Sequence, residues 1–100
     1  MSQNSGPLAR EVISETLREI LEAMTEEWDR DPETAIGEGT QLVRDLGFES
    51  IDVVQFIVAI EERFRRRGLP YEEFLMIDGR YVDEIILKDV VDFLHRHLNS

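Results

Sequence analysis

Apolar residues recur at intervals of three and four in three stretches of the chain, which is the spacing of helices with one buried face. The first stretch covers residues 12–28, the second residues 53–64 and the third residues 86–98. Polar and charged residues fill the other positions, so each helix is expected to have a solvated side. The apolar positions are Val12, Ile13, Leu17, Ile20, Leu21, Met24 and Trp28; Val53, Phe56, Ile57, Ile60 and Phe64; and Ile86, Leu87, Val90, Val91, Leu94 and Leu98, with Phe93 on the flank.

Proline and glycine residues indicate where these helices begin and end. Pro7 suits the first position of a helix, because the amide hydrogen that it lacks would be unpaired there, so the first helix is expected to begin near it. The second helix is expected to run from Ser50 to about Arg67, with Gly68 ending it. The third is expected to end near Asn99.

The segment between the first two helices is predicted to be a long loop. Asp31-Pro32 stops the helical pattern, and two glycines keep it interrupted until Gly47. A loop of about 20 residues is uncommon in a compact domain unless it has a function. Four apolar residues are expected to hold it against the core: Ile36, Leu42, Leu46 and Phe48.

The segment before the last helix predicts two small elements. Residues 71–75 suit one helical turn, and Asp78-Gly79 is typical of a tight turn between two short extended runs. The expected fold is therefore all-α, a small bundle of three long helices and one short helix, with a hairpin-like insertion near residues 75–82. Residues 1–6 are expected to form a disordered tail, and residues 7–100 a single domain.

Composition and charge narrow the function. The 42% hydrophobic and 33% charged residues are a globular balance, and 22 acidic against 11 basic residues give a net charge of -11. That charge argues against nucleic-acid and membrane-surface binding. The absence of cysteine excludes disulfides and thiol chemistry, and no apolar run approaches the roughly 20 residues of a membrane span. Without a charged and apolar leader at its start, the protein is expected to be cytoplasmic.

Ser50 lies where the loop is predicted to become the second helix. One interpretation is a structural N-cap, although a capping box starting at Ser50 fails because Val53 occupies the third position after it. The other is a modification site, since the free amides and the dipole of a helix N-terminus favour a phosphate.

A second apolar stripe accompanies the serine. If Phe56 and Ile60 face the core, then Ile51, Val54 and Val58 lie on another side of the same helix. This stripe is interleaved with carboxylates, a combination typical of a docking surface for basic partners. The acidic residues are Glu49, Asp52, Glu61 and Glu62.

The segment resembles the modification motif of acyl carrier proteins, in which a Leu-Gly pair precedes Asp-Ser-Leu and the following helix ends in Glu-Glu-x-Phe. Here the motif reads Leu46-Gly47-Phe48-Glu49-Ser50-Ile51 and ends Glu61-Glu62-Arg63-Phe64. The resemblance implies that Ser50 carries a covalent 4'-phosphopantetheine arm, transferred from coenzyme A by a phosphopantetheinyl transferase, with the acyl group held on the arm's thiol.

The same resemblance implies the rest of the site and the partners. The four acidic residues would be recognition positions, and Ile51, Val54 and Val58 apolar contacts, for acyl synthases, ligases or transferases with basic docking patches. The protein would be a monomeric, stand-alone carrier and not an enzyme.

Departures from the motif favour a specialised carrier, in a fatty-acid or polyketide-type pathway. Glu49 and Ile51 are conservative replacements, but Gln55 stands at a commonly acidic position, residues 63–67 hold four arginines, and residues 69–85 exceed the family's short third helix. The alternatives are an unmodified adaptor on the same scaffold, in which Ser50 only caps, and a peptidyl or aminoacyl carrier.

Other signals predict neither a catalytic nor a metal site. His95 and His97 lie roughly 200° apart around a helix, too far to bind one ion together, and are expected on the surface. The acidic residues 29–33 lack the glycine and final glutamate of a calcium loop.

Overall fold

A computed structural model of the protein describes residues 8–28 and 35–99. The expected tail at residues 1–6, the helix start at Pro7 and the break at Asp31-Pro32 lie outside the described residues. The elements in chain order are α1 (Arg10–Met24), α2 (Leu42–Leu46), α3 (Ser50–Phe64), α4 (Glu72–Leu75), β1 (Met76–Ile77), β2 (Arg80–Tyr81) and α5 (Leu87–Leu98). The predicted helical bundle of three long helices, the short α4 and the hairpin are therefore confirmed.

The three long helices enclose one apolar core. Helix α1 packs against both α3 and α5, so it forms the centre of the bundle. Two predicted core positions are wrong, because Val12 and Ile86 are exposed. Phe93, predicted on the flank of the last helix, is buried. The buried apolar residues are Ile13, Leu17, Ile20, Leu21, Ile36, Leu42, Leu46, Phe48, Phe56, Ile60, Ile85, Leu87, Val90, Val91, Phe93 and Leu94.

The predicted long loop contains a helix that the sequence pattern missed. Leu42–Leu46 forms one short turn of helix, which Gly47 ends with a positive φ of 75°. Five residues are too few to show periodicity, and the carboxylate that caps this helix comes from far along the chain. Glu84 accepts hydrogen bonds from the backbone N–H groups of Val43 and Arg44 at 2.7 and 2.9 Å. The prediction that Ile36, Leu42, Leu46 and Phe48 are held against the core is confirmed.

Backbone hydrogen bonds fasten this part of the chain to the start of α5. The N–H of Leu42 donates to the Ile85 carbonyl at 2.9 Å, and the N–H of Leu87 donates to the Thr40 carbonyl at 2.9 Å. Arg10 adds a side-chain link, since its Nη1 lies 2.7 Å from Glu38 and its Nε 3.1 Å from Asp92. This hydrogen-bonded guanidinium holds the pKa of Glu38 and that of Asp92 below their ordinary values.

Helix α3 ends at Phe64, three residues before the predicted end at Arg67. Arg65 takes the left-handed conformation, with φ 56°, and the N–H of Arg66 donates to the Glu61 carbonyl at 3.2 Å. The helix is thus closed by an arginine that adopts a conformation usually left to glycine. Gly68, the predicted end, follows in the same conformation.

The hairpin has the turn that its sequence predicts. Asp78 and Gly79 both have positive φ, as the tightest two-residue turns require, and Met76 pairs with Tyr81 across the strands. The preceding α4 is joined to α5 by aromatic contacts of Tyr71 and Phe74 with Phe93. Burial raises the pKa of the Tyr71 hydroxyl to about 12, helped by the nearby Glu61.

Candidate modification site and docking face

Ser50 is the first residue of α3, and its side chain is exposed. The approach to it is fixed by Phe48, which is buried and contacts the rings of Trp28 and Phe56 at centroid distances of 5.5 and 6.1 Å. Gly47 turns the chain out of α2 immediately before this anchor. The buried Phe48 ring therefore fixes the backbone just before Ser50, and Ser50 itself lies on the surface.

Glu49, and not Ser50, caps the helix. The backbone N–H of Glu49 donates to Asp52 Oδ2 at 2.8 Å, which is the return contact of a capping box. A capping box does not start at Ser50, as predicted, but one starts one residue earlier, at Glu49. Among the described residues, none makes a hydrogen bond with the Ser50 hydroxyl. The interpretation of Ser50 as the structural cap is contradicted.

The geometry at Ser50 fits a phosphodiester. Within the described part of the chain, the backbone N–H groups of Ser50 and Ile51 have no acceptor, as expected in the first turn of a helix. Both amides and the helix dipole favour an anion at this end. A phosphopantetheine attached there would supply a terminal thiol for carrying an acyl group, while Ser50 Oγ would hold the arm and the two amides would face its phosphate.

The predicted apolar stripe lies on the surface. Ile51, Val54 and Val58 are 57%, 55% and 47% exposed, whereas Phe56 and Ile60 on the opposite side of α3 are 1% exposed. The four predicted acidic residues border this stripe, with Glu49 and Glu62 exposed and Asp52 and Glu61 half-buried. The oxygen of the Tyr71 hydroxyl is 3.5 Å from the Glu61 carboxylate, so Glu61 also contacts the residue that precedes α4. We call Ile51, Val54 and Val58 with these four acids the docking face.

Arginines bound the far end of the docking face. Arg65 and Arg67 line a surface hollow of about 550 Å³ together with Val58, Glu61 and Glu62. Arg63 instead pairs with Glu19 of α1 at 2.9 Å. The docking face is thus acidic and apolar near Ser50, and it carries both charges where α3 ends. A helix with the usual motif would be acidic along its whole length.

A second hollow, which no sequence pattern predicts, begins at Ser50. It is a groove of about 390 Å³ whose lining residues are almost all apolar. No short-range pattern could have indicated it, because its walls come from α3, the end of α4, β2 and the segment before α5. The lining residues are Ser50, Val53, Val54, Ile57, Leu75, Tyr81 and Ile85.

The two histidines lie in different surroundings. His97 is half-buried against the Phe93 ring, and its Nε2 lies 2.9 Å from Glu73 Oε1, while His95 is exposed. His97 and Arg96 lower the pKa of the Glu73 carboxyl. No group of three or more potential metal ligands occurs within residues 8–28 and 35–99. Nor does any helix in these ranges have the length and apolar character to cross a membrane.

Comparison with known proteins identifies the family. The family model described as "Phosphopantetheine attachment site" matches residues 11–70, which include all but the first residue of α1 and the whole of α2 and α3. The chain therefore belongs to the phosphopantetheine-binding carrier proteins, and the cofactor of this family is the covalent 4'-phosphopantetheine.

A curated relative supports the acyl-carrier branch of that assignment. The chain is 32% identical over 60 residues to the protein named "Acyl carrier protein, mitochondrial" from Saccharomyces cerevisiae (strain ATCC 204508 / S288c). The match covers 60% of this chain and 48% of the relative, so the chain spans about half the length of that protein. The resemblance to acyl carrier proteins that the motif indicates is therefore confirmed.

Proposed function

We propose that the protein is a stand-alone acyl carrier that tethers acyl intermediates as thioesters on a 4'-phosphopantetheine arm attached to Ser50. The protein performs no chemistry of its own, since bond making belongs to the arm's thiol and to partner enzymes. Its contribution is to place the arm, keep it soluble and select partners. The departures at the end of α3 and in the hairpin support a specialised fatty-acid or polyketide-type pathway. We further propose that the protein acts in the cytoplasm.

The observation that carries this proposal is the state of the Ser50 hydroxyl. Ser50 is exposed at the start of α3, and no described residue hydrogen-bonds to its hydroxyl. Glu49 and Asp52 provide the capping contacts of the helix instead. Because its neighbours cap the helix, the Ser50 hydroxyl is available to a modifying enzyme. The adaptor alternative assigned Ser50 the capping role, which the hydrogen bonds give to Glu49.

Attachment requires a hydroxyl that can approach a pyrophosphate. Ser50 Oγ would attack the phosphorus bearing the pantetheine half of coenzyme A, forming one P–O bond while the P–O bond to the leaving phosphate breaks. The nucleotide leaves as adenosine 3',5'-bisphosphate, and the serine proton passes to a base of the transferase. The chain only has to present Oγ, which its exposure permits.

Partner enzymes are expected to recognise the docking face by charge and by apolar contact. Glu49 and Asp52 lie beside Ser50, so a basic patch on the partner would come close to the attached arm. Such exposed charge pairs are screened by salt, so association is expected to be weak and to decrease as ionic strength rises. A mobile arm makes tight docking unnecessary, because tethering raises the effective concentration of the acyl group.

The test is intact mass after incubation with coenzyme A, magnesium and a broad-range phosphopantetheinyl transferase. We expect the native chain to gain one phosphopantetheine and Ser50→Ala to gain none. Ser14→Ala is the matched control, because it removes a hydroxyl from α1 and should leave the mass gain intact. A native chain that gains no mass, or a Ser50→Ala chain that still gains it, would overturn the proposal.

A further inference from the structure

Four arginines lie close together where α3 ends, and they differ in what they contact. Arg63 donates to Glu19 of α1 at 2.9 Å and so joins two helices. Arg65, Arg66 and Arg67 are exposed, and none of them forms an ion pair or a side-chain hydrogen bond with a described residue. In a chain with 22 acidic and 11 basic residues, these three adjacent guanidinium groups form a distinct basic patch.

Two of these arginines belong to the surface hollow at the far end of the docking face. Arg65 and Arg67 line it together with Val58, Glu61 and Glu62. In the described part of the chain, neither glutamate forms an ion pair with either arginine. The sign of the surface charge therefore reverses within the hollow, from carboxylates to guanidinium groups, and the guanidinium groups remain available to a partner.

The backbone at Arg65 indicates that the end of the helix does not require an arginine. Arg65 has φ 56°, a left-handed conformation that glycine adopts freely and that a residue with a Cβ adopts at a cost. A glycine would therefore close α3 at least as well. The helix dipole favours cations mainly within the last turn, where Arg63 already lies. The charge at position 65 thus points to a contact outside the fold.

The two ends of the docking face are far enough apart to be recognised separately. An α-helix rises about 1.5 Å per residue, so Ser50 and Arg65 lie about 22 Å apart along α3. Exposed charges are largely screened beyond about 8–10 Å at moderate ionic strength. Basic partner side chains that pair with Glu49 and Asp52 therefore have little effect at Arg65, where a partner charge of the opposite sign is favoured.

Resting on the proposed carrier function, we propose that Arg65 and Arg67 form a specificity-determining subsite of the docking face that binds acidic side chains of the partner protein. The partner presents basic residues to Glu49 and Asp52 and carboxylates about 22 Å further along α3. A partner that is basic along the whole contact places like charges against the arginines, which weakens its binding. The reversal of charge also determines the direction in which α3 lies across the partner.

The test uses two designed helical peptides of about 18 residues, long enough to span both ends of the docking face, in place of a partner surface. Both carry lysines at one end and leucines in the middle. The other end carries glutamates in the bipolar peptide and lysines in the basic peptide. Because a free helix can lie in either direction, the order of the two blocks is immaterial. Binding at low salt is followed by the amide signals of α3 and the Nε–H signals of Arg65 and Arg67.

We expect the native chain to bind the bipolar peptide about fivefold more tightly than the basic peptide, since each exposed ion pair changes a dissociation constant by about 1.5- to 5-fold. Arg65→Glu and Arg67→Glu should each lower this preference, and both together should reverse it. Arg80→Glu is the matched control, because Arg80 is an exposed arginine outside the hollow with no described ion pair. The same change of net charge at Arg80 should leave the preference intact.

Arg65→Gly separates recognition from stability. Because glycine adopts the left-handed conformation freely, this variant should lose part of the peptide preference without lowering the urea midpoint of unfolding. A lower midpoint with an unchanged preference would make Arg65 only a helix end and would overturn the subsite. Equal effects of Arg65→Glu and Arg80→Glu would show that net charge alone determines binding.

The remaining outcomes keep this inference distinct from the proposed function. Ser50→Ala should bind both peptides as the native chain does, so attachment is tested by intact mass and the arginine subsite by the peptide preference. If neither peptide shifts the α3 signals at millimolar concentration, the docking face does not recognise charge and the subsite fails with it. Signals of α3 that shift with protein concentration alone would make a second copy of this chain the partner instead.

Discussion

Replacing Glu84 with alanine removes an acceptor shared by three backbone N–H groups. Its carboxylate accepts from Val43 at 2.7 Å, from Arg44 at 2.9 Å and from Ile85 at 3.0 Å. The N–H groups of Val43 and Arg44 belong to α2. Glu84 therefore caps this helix, a role that usually falls to the residue just before the helix. We expect the substitution to destabilise α2. Because Gly47 joins α2 to the residues before Ser50, the position of those residues should also become less fixed.

The solvent exposure of these amides determines how much stability Glu84→Ala should lose. Loss of an N-cap side chain costs about 0.5–2 kcal/mol, and charge-assisted hydrogen bonds contribute about 1.5–3 kcal/mol each when shielded from water. Here the amides of Val43 and Arg44 are exposed, so water replaces much of what is lost. We expect Glu84→Ala to lower the free energy of unfolding by about 1.5 kcal/mol, or Tm by about 6–12 °C.

Urea denaturation measures the global effect, and hydrogen exchange at Val43 and Arg44 measures the local one. Asp83→Ala is the matched control, because Asp83 is exposed, adjacent and equally charged, and no described residue hydrogen-bonds to its side chain. Exchange at the two amides should accelerate only in Glu84→Ala. If both variants unfold at the same urea concentration and exchange alike, Glu84 does not cap α2.

Three further predictions concern the core and the charge network. Phe56→Ala should cost about 3–5 kcal/mol, whereas Val54→Ala on the exposed side of α3 should change stability by less than about 0.5 kcal/mol, as urea denaturation would show. Arg10→Met should lower the urea midpoint more than Arg18→Met, because Arg10 joins separate elements whereas the described partners of Arg18 lie within α1; equal losses would contradict this. Since Arg10 depresses the pKa of Asp92, the stability it adds is present above about pH 4 and is lost as pH falls further. Denaturation at pH 7, 4 and 3 should show a shallower loss in Arg10→Met, and an equal slope would refute it.

Local sequence patterns predicted the parts of the fold that local physics determines. The apolar period predicted α3 and its buried residues Phe56 and Ile60, and Asp78-Gly79 predicted the hairpin turn. These features depend on residues within one or two turns of each other. The exposed stripe of Ile51, Val54 and Val58 followed from the same helical geometry.

Features that depend on distant residues escaped prediction. Helix α2 is capped by Glu84, 41 residues after Val43 in the chain, and the groove at Ser50 is lined in part by Tyr81, which lies 31 positions after the serine. The end of α3 was misplaced because Arg65 adopts a conformation for which Gly68 is the better candidate from composition alone. The cap at Glu49 was missed by one residue, since a helix start is read from a sequence only to within a few positions.

The pairing of α2 with the residues before α5 has a consequence for biosynthesis. A domain synthesised from its N-terminus exposes Ser50 to the cell while Glu84 and Ile85 are still inside the ribosome. Until those partners emerge, the amides of Leu42, Val43 and Arg44 have no protein acceptor, and the turn that presents the serine is unsupported. An enzyme that recognises this folded surface therefore has to wait until the residues before α5 have left the ribosome, so α2 and the start of α3 become recognisable only after a segment that follows them by more than 30 residues.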